Sequence, residues 1–422
     1  MSLETKMSGL TFKNPLMAGC AGITEWLEPA EKWLKAGAGG ILAKSIATDP
    51  NMRRYLRPTF YTLNRHGLKG AMTECELGSI YPPEVWVKEM QPRFVELCQK
   101  YNATFIQSII GTGADTNDWV ELAQLVESAG AEGIELDPAC PIGATASAEY
   151  ASMELGDNPE FLAEVIGAVK KAVKVPVGVK LSPTIKPLDE IAKLAREAGH
   201  ADWCTLVNAA GGFHVDVESE QIMGANTIAG YIPGPSLKWW GLYKIWQVRQ
   251  VCDIEISGCG GIWDADDALQ YILMGCPTIQ VVSSVYFDGP RVFTRILDGI
   301  EKFMDRKGYS SIEDFRGKAY RQIKLYKDLP MEEEIKLEPT PIYPAFDVDK
   351  CNFCMRCVTA CIRDAIKADE AEGKIAADPM LCLGCGFCVG LCPTSAVKII
   401  HGKTGRVVWD GVGTCNFDWV NW

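Results

Sequence analysis

From Pro15 to about Gly299, short apolar runs alternate with longer amphipathic stretches. The apolar runs are Leu16–Cys20, Gly40–Lys44, Thr104–Ser108, Gly133–Asp137, Val175–Lys180, Trp203–Val207, Glu255–Ser257 with its flanks, and Thr278–Ser283, eight in all. Between them, Pro83–Tyr101, Asp118–Ala129, Pro159–Val173, Pro187–Ala198, Leu237–Cys252 and Asp264–Met274 carry the pattern of helices with one buried face. Strands alternating with helices predict a parallel sheet, because each crossover must return over the sheet face. Eight such units fit a closed (β/α)8 TIM barrel better than an open doubly wound sheet, the second choice. Gly-rich steps such as Ala36–Gly40 and Ser128–Gly133 read as helix C-caps. Three long segments, 45–82, 138–158 and 209–236, follow the second, fourth and sixth runs. They are therefore expected at the C-terminal mouth of a barrel, where active sites lie.

The pattern changes after residue 300. A helix and a charged linker, Met331–Pro341, are expected over 311–340, closing a barrel domain over 1–310. Residues 341–402 form a second domain and 403–422 an aromatic tail. The second domain holds two cysteine runs of one spacing: Cys351, Cys354, Cys357, Cys361 and Cys382, Cys385, Cys388, Cys392. That spacing is the ligand pattern of a ferredoxin-like pair of 4Fe–4S clusters, in which the fourth cysteine of each run ligates the other cluster. One cluster would take Cys351, Cys354, Cys357 and Cys392, and the other Cys382, Cys385, Cys388 and Cys361. Zinc is the competing reading, and the duplicated spacing argues against it. Cys392 is followed by Pro393 as the pattern expects, whereas Ile362 follows Cys361.

Hydrophobic residues make up 47% of the 422, enough for a sizeable core, and the net charge of −12 argues against a nucleic-acid partner. No secretory signal is visible behind Met1 and no run approaches a membrane span. The 17 cysteines, mostly scattered singly outside the two runs, point to a reducing, cytoplasmic setting.

Candidate chemistry in the first domain starts with Ser257–Ile262 and Ile279–Ser284, which follow the seventh and eighth runs. Backbone N–H groups freed by Gly260 and Gly261 can surround a phosphate there; the plainer reading is two ordinary βα turns. Lys44 and Lys180 end apolar strands and either reach solvent or steady an anion such as a reduced flavin ring. Cys140 follows the fourth run. A thiol there is either a small buried hydrophobe or a general acid or base at a substrate carbon.

Together, Asn14–Gly19, Lys44–Ser45, Glu135–Pro141, Val179–Pro183, Asn208, Gly260–Gly261 and Val282–Ser283, followed by the two cysteine runs, resemble a known family. The barrel resembles the flavin domain of the soluble dihydroorotate dehydrogenases. With the ferredoxin appended, the chain looks most like the dihydropyrimidine dehydrogenases, in the form of the catalytic subunit of the bacterial two-subunit type. The resemblance implies FMN at the mouth, with Ala18, Gly19, Lys44, Ser45, Lys180, Gly234, Gly260, Gly261, Val282 and Ser283 on its contact positions. It places Cys140 on the proton-transfer cysteine, opposite hydride delivery from the flavin N5, with Lys44 and Lys180 steadying the reduced flavin.

Three departures concern the substrate. Asp137 stands where the family's strand-four motif has asparagine, and the asparagine after strand six is followed here by Ala209 rather than threonine. Glu74 is the nearest match to a further ring-holding asparagine. A carboxylate only accepts hydrogen bonds where an amide both donates and accepts. A pocket of Asp137, Glu74, Asn208 and Ala209 therefore favours a donor-rich or cationic ring over uracil, and losing such a polar match can cost ~10⁴-fold.

The expected function is an FMN- and iron–sulfur-dependent oxidoreductase that reduces or forms a C=C bond conjugated to a carbonyl, or an equivalent acceptor, in a small cyclic substrate. The alternatives are a true uracil or thymine dehydrogenase and an electron-transfer subunit without catalysis of its own. No G-x-G-x-x-G turn follows a first strand. Electrons are therefore expected from a reductase subunit carrying FAD and NAD(P)H, or from a ferredoxin, within an oligomer.

Overall fold

In the computed structural model of the chain, the described residues are all but 63–69, 112–115, 140–157, 185–186, 224–229, 329–338, 417 and 420–422. The chain divides into two compact units, Met1–Gln322 and Ile323–Trp422.

Unit one is a closed barrel of eight parallel strands. They are numbered here β1 (Leu16–Ala18), β2 (Gly40–Ala47), β3 (Thr104–Ile110), β4 (Gly133–Leu136), β5 (Val177–Leu181), β6 (Trp203–Leu206), β7 (Glu255–Cys259) and β8 (Thr278–Val281). Each strand pairs with its sequence neighbours, and β8 closes on β1. Every apolar run expected to be a strand is one, and closure excludes the open sheet. The helices bury the faces their periodicity marks. Over Leu188–Glu197, Leu188, Ile191, Ala192 and Ala195 pack inward, and each Leu or Ile so buried contributes ~1.5–3 kcal/mol. The helix expected over Pro83–Tyr101 is interrupted by a π-turn, Trp86–Met90. Pro92, in the first turn of the segment that follows, has no N–H to continue the regular ladder.

The described residues of 311–340 hold three short 3-10 turns, Ile312–Asp314, Tyr320–Gln322 and Tyr326–Asp328, and the rest of the expected helix and linker, 329–338, lies outside the described residues. A long helix precedes them at Arg291–Lys307. It covers the barrel with Val292, Phe293, Ile296, Ile300 and Met304 and stops at Gly308 in the left-handed conformation.

Two of the long segments meet over the mouth. Phe60–Thr62 and Met72–Glu74, after β2, join Gly230–Ile232 and Ala210–Gly212, after β6, in one four-stranded antiparallel sheet. Glu74 lies at its centre, opposite Phe60 on one side and Tyr231 on the other.

Unit two has a three-stranded sheet, Ile342–Phe346, Val397–His401 and Val407–Trp409, and a hairpin, Ile366–Asp369 with Lys374–Ala377. Two short helices among its described residues, Arg356–Thr359 and Phe387–Leu391, each start just after the second cysteine of a run.

Candidate active site

The carboxyl ends of the barrel strands surround a cavity whose empty space, counted out to the open solvent at its entrance, is about 930 Å³. The ladder between β2 and β3 slips between Ala43 and Ile46, and the two residues in the slip are Lys44 and Ser45. Such a bulge re-aims side chains that regular alternation would send outward, and both residues line the cavity. Asp137 follows β4, Lys180 is the penultimate residue of β5, and Asn208 follows β6; all three also line it.

Of the residues expected to hold a flavin, Lys44, Ser45, Lys180, Gly234, Gly260, Gly261, Val282 and Ser283 lie in the lining, and Ala18 and Gly19 lie just outside it. Gly19 closes the wall from behind, since a Cβ on it would sit 2.7 Å from Val282 Cγ2. The expected substrate residues Glu74, Asp137, Asn208 and Ala209 all face the same space. Cys140 lies outside the described residues. The glycines form a close cradle: Gly261 has φ +70°, and a Cβ there would meet the Lys238 N at 2.8 Å. That backbone suits a bulky anionic ligand, as FMN is.

Both lysines are engaged. Lys44 Nζ is 3.7 Å from Glu76 Oε2, and Lys180 Nζ is 3.8 Å from Asp137 Oδ2. Burial works against the Lys180 charge more than any one neighbour favours it, but Asp137, Cys20 and Glu135 together outweigh it, and its pKa is raised. The same balance holds for Lys44, where Glu76 opposes burial. Asp137 Oδ2 also accepts from Ser45 Oγ at 3.4 Å. Its other oxygen, Oδ1, is buried without a hydrogen-bond partner among the described residues. Asn208 is fixed by donating to Ala139 O at 3.1 Å and accepting from the Ala209 N–H at 2.8 Å.

Several lining residues carried no sequence signal. Cys20 lies 3.0 Å from Ser45 Oγ, and burial, offset by Lys180 and Lys44, raises its pKa. Glu76 accepts from the Gly22 N–H at 3.0 and 3.2 Å and from the Tyr286 hydroxyl at 3.0 Å. The Glu76 N–H in turn donates to Glu74 Oε2 at 2.6 Å. Burial, reinforced by the Glu76 charge, pushes Glu74 up to about 8. Tyr286 packs on Phe60 with ring centroids 4.8 Å apart. Single residues on separate loops have no period or spacing to betray them.

In unit two the cysteines surround two cavities. Cys351, Cys354, Cys357 and Cys392 line one, and Cys361, Cys382, Cys385 and Cys388 line the other, with Cys357 shared by both. The fourth cysteine of each run thus faces the other run's cavity. Local geometry repeats with the sequence. The first cysteine of each run accepts a backbone N–H two residues on, Phe353 to Cys351 at 3.4 Å and Gly384 to Cys382 at 3.3 Å. The fourth accepts one four residues on, Ala365 to Cys361 at 3.3 Å and Ala396 to Cys392 at 3.2 Å. Among the described residues no three His, Cys, Asp or Glu side chains converge on a single-ion site. Four soft thiolates around a larger void suit an iron–sulfur cube.

A sequence profile described as "Dihydroorotate dehydrogenase" matches residues 2–304, and one described as "4Fe-4S dicluster domain" matches 350–396. The chain is 31% identical over 321 residues to the dihydroorotate dehydrogenase B (NAD(+)) catalytic subunit of Pyrococcus abyssi, covering 76% of this chain and 99% of that protein. It is 31% identical over 322 residues to the same-named subunit of Methanothermobacter thermautotrophicus (75% and 98% covered) and 28% over 331 residues to that of Bacillus cytotoxicus (76% and 98%). No helix among the described residues is long and apolar enough to cross a membrane.

Proposed function

Because the chain belongs to the dihydroorotate dehydrogenase family, an oxidoreductase family that carries here a 4Fe–4S ferredoxin domain, we propose that it adds or removes two hydrogens across a C–C bond beside a carbonyl, or an equivalent acceptor, in a small ring that is not an anion. The observation that carries this reading is the cavity at the barrel mouth, where two buried lysines already have carboxylate partners. Its described lining contains no cation besides Lys44 and Lys180. Glu76 and Asp137 occupy these two, so among the described residues a substrate carboxylate finds no ready counter-ion. On that described lining a neutral or donor-bearing ring fits better than a dihydroorotate-like acid.

FMN fits the cradle of Gly234, Gly260, Gly261, Val282 and Ser283, with Lys44 and Lys180 beside it, and would supply hydride transfer there. The chain's own residues do the rest. Lys44 and Lys180, both buried, bring fixed positive charge to the site. Asn208, tied at both ends of its amide, orients the ring. Cys140, on the position the family uses for proton transfer, exchanges the proton at the substrate carbon. The eight cysteines of the two cavities would hold two 4Fe–4S clusters, which would supply single-electron exchange with an FAD- and NAD(P)H-binding reductase subunit or a ferredoxin. The relatives' shared name, catalytic subunit, supports a partner of that kind.

Anaerobic purification followed by denaturation is the first test, and FMN and iron are expected in the released fraction. Purified protein without flavin would leave only an electron-transfer role. Flavin-loaded protein should turn over neither dihydroorotate nor orotate at a rate matching its relatives. Robust turnover of uracil or thymine would replace the altered-pocket reading with a true dihydropyrimidine dehydrogenase.

A further inference from the structure

Lys180 is set against two acids of β4. Residues i and i+2 of a strand point the same way, so Glu135 and Asp137 both enter the barrel interior, one layer apart. Strands β4 and β5 stay in parallel register up to Leu136 and Val179, which brings Lys180 beside Asp137 one step further on. Asp137 Oδ2 lies 3.8 Å from the ammonium, and Glu135, fully buried below, acts on the same charge. Glu135 is fixed there, because its Oε2 accepts from Thr205 Oγ1 and, at 3.3 Å, from Gln280 Nε2. Lys44 also has an anchored partner. Glu76, 3.7 Å away, is held by the Gly22 N–H and the Tyr286 hydroxyl. Lys44, Lys180 and Asp137 are buried, and Glu76 largely so. An unpaired ammonium in such a wall would stabilise the negative ring of a reduced flavin strongly, and a paired one does so far less.

We propose that Asp137 and Glu76, by offsetting the charges of Lys180 and Lys44, hold the flavin at a low reduction potential and so direct the site toward reduction of its ring substrate. This inference rests on FMN occupying the cradle at the mouth. Asp137 is then a positioning residue that acts on the flavin through Lys180, besides forming a wall of the substrate pocket. A flavin poised low is a strong hydride donor, so the substrate class is the unsaturated ring rather than its dihydro form. Each C=C reduced takes two electrons, supplied singly by the one-electron donor, and two protons from solvent, one delivered as part of the hydride and one to the neighbouring carbon.

The test uses the full chain as purified with its FMN and reads the flavin midpoint by anaerobic redox titration. Asp137→Asn removes the charge and keeps the shape. It should raise the reduced-to-oxidised ratio about tenfold at a given potential, a midpoint shift of about 30 mV upward for a two-electron couple. Addition of sulfite to the oxidised flavin, which also leaves a negative ring, should tighten by a similar factor. Glu76→Gln should move both readouts the same way through Lys44, and it carries the test if Asp137→Asn does not fold. Asp202→Asn removes the partner of Lys170 just before β6, at the opposite end of the barrel, and should leave both at the wild-type value. A midpoint unchanged or lowered in either folded variant, or raised equally in Asp202→Asn, overturns the proposal. Protein that purifies without FMN and takes none up would instead defeat the oxidoreductase reading on which it rests.

Discussion

The cysteine unit takes its eight thiols from two runs, 351–361 and 382–392, whereas the barrel cavity draws lining residues from the end of every strand. In the first case the ligands are neighbours in sequence, and their geometry follows from local turns repeated in each run. In the second, Lys44, Asp137, Lys180 and Glu74 meet only because the barrel closes, and their charges are set by one another. Damage to the first centre should therefore stay local, and damage to the second should spread through its partners.

Cys388→Ser offers the largest expected effect and the cleanest break. Iron content should fall by about half as one of two clusters is lost, while released FMN stays at the wild-type level. A parallel loss of flavin would show that the two centres are not independent. Next comes Lys180→Ala, which leaves Asp137 buried without its cation. A buried pair broken on one side costs ~3–5 kcal/mol, read as a lower unfolding midpoint in denaturant. The double variant Lys180→Ala with Asp137→Ala should recover much of that loss, and no recovery would mean that the pair is not coupled. The smallest effect is on pH. Glu74 binds its proton more tightly in the folded chain than its ordinary 4.5, with a folded value of about 8. Its contribution to stability is full below that ordinary value and is lost as pH rises through about 8. Glu74→Gln should flatten the decline in stability over that interval, and an unchanged slope would place the shift elsewhere.

What the sequence made legible follows the same division. The eight strands were readable because apolar runs and helical periods are local properties, and the cluster ligands because cysteine spacing is. Lys44 and Lys180 were marked by their place at the ends of apolar strands, whereas Asp137 and Glu74 were reached through resemblance to a family. Cys20, Glu76 and Tyr286 were not reached at all. Nor was the upward shift of Glu74 legible, because it comes from burial and from the charge of Glu76 two residues away, which is itself held by Gly22, Tyr286 and Lys44, three partners distant in the chain.

The sheet over the mouth joins two separate insertions, one after β2 and one after β6, and Glu74 is paired into it from both sides. In evolutionary terms these loops form a single heritable character. A lineage that alters one strand shifts the register that aims Glu74, so its neighbour must change in step. Chimeras with a relative that exchange only one insertion should fold their barrels and lose ring selectivity. Exchanging both together should transplant the donor's preference.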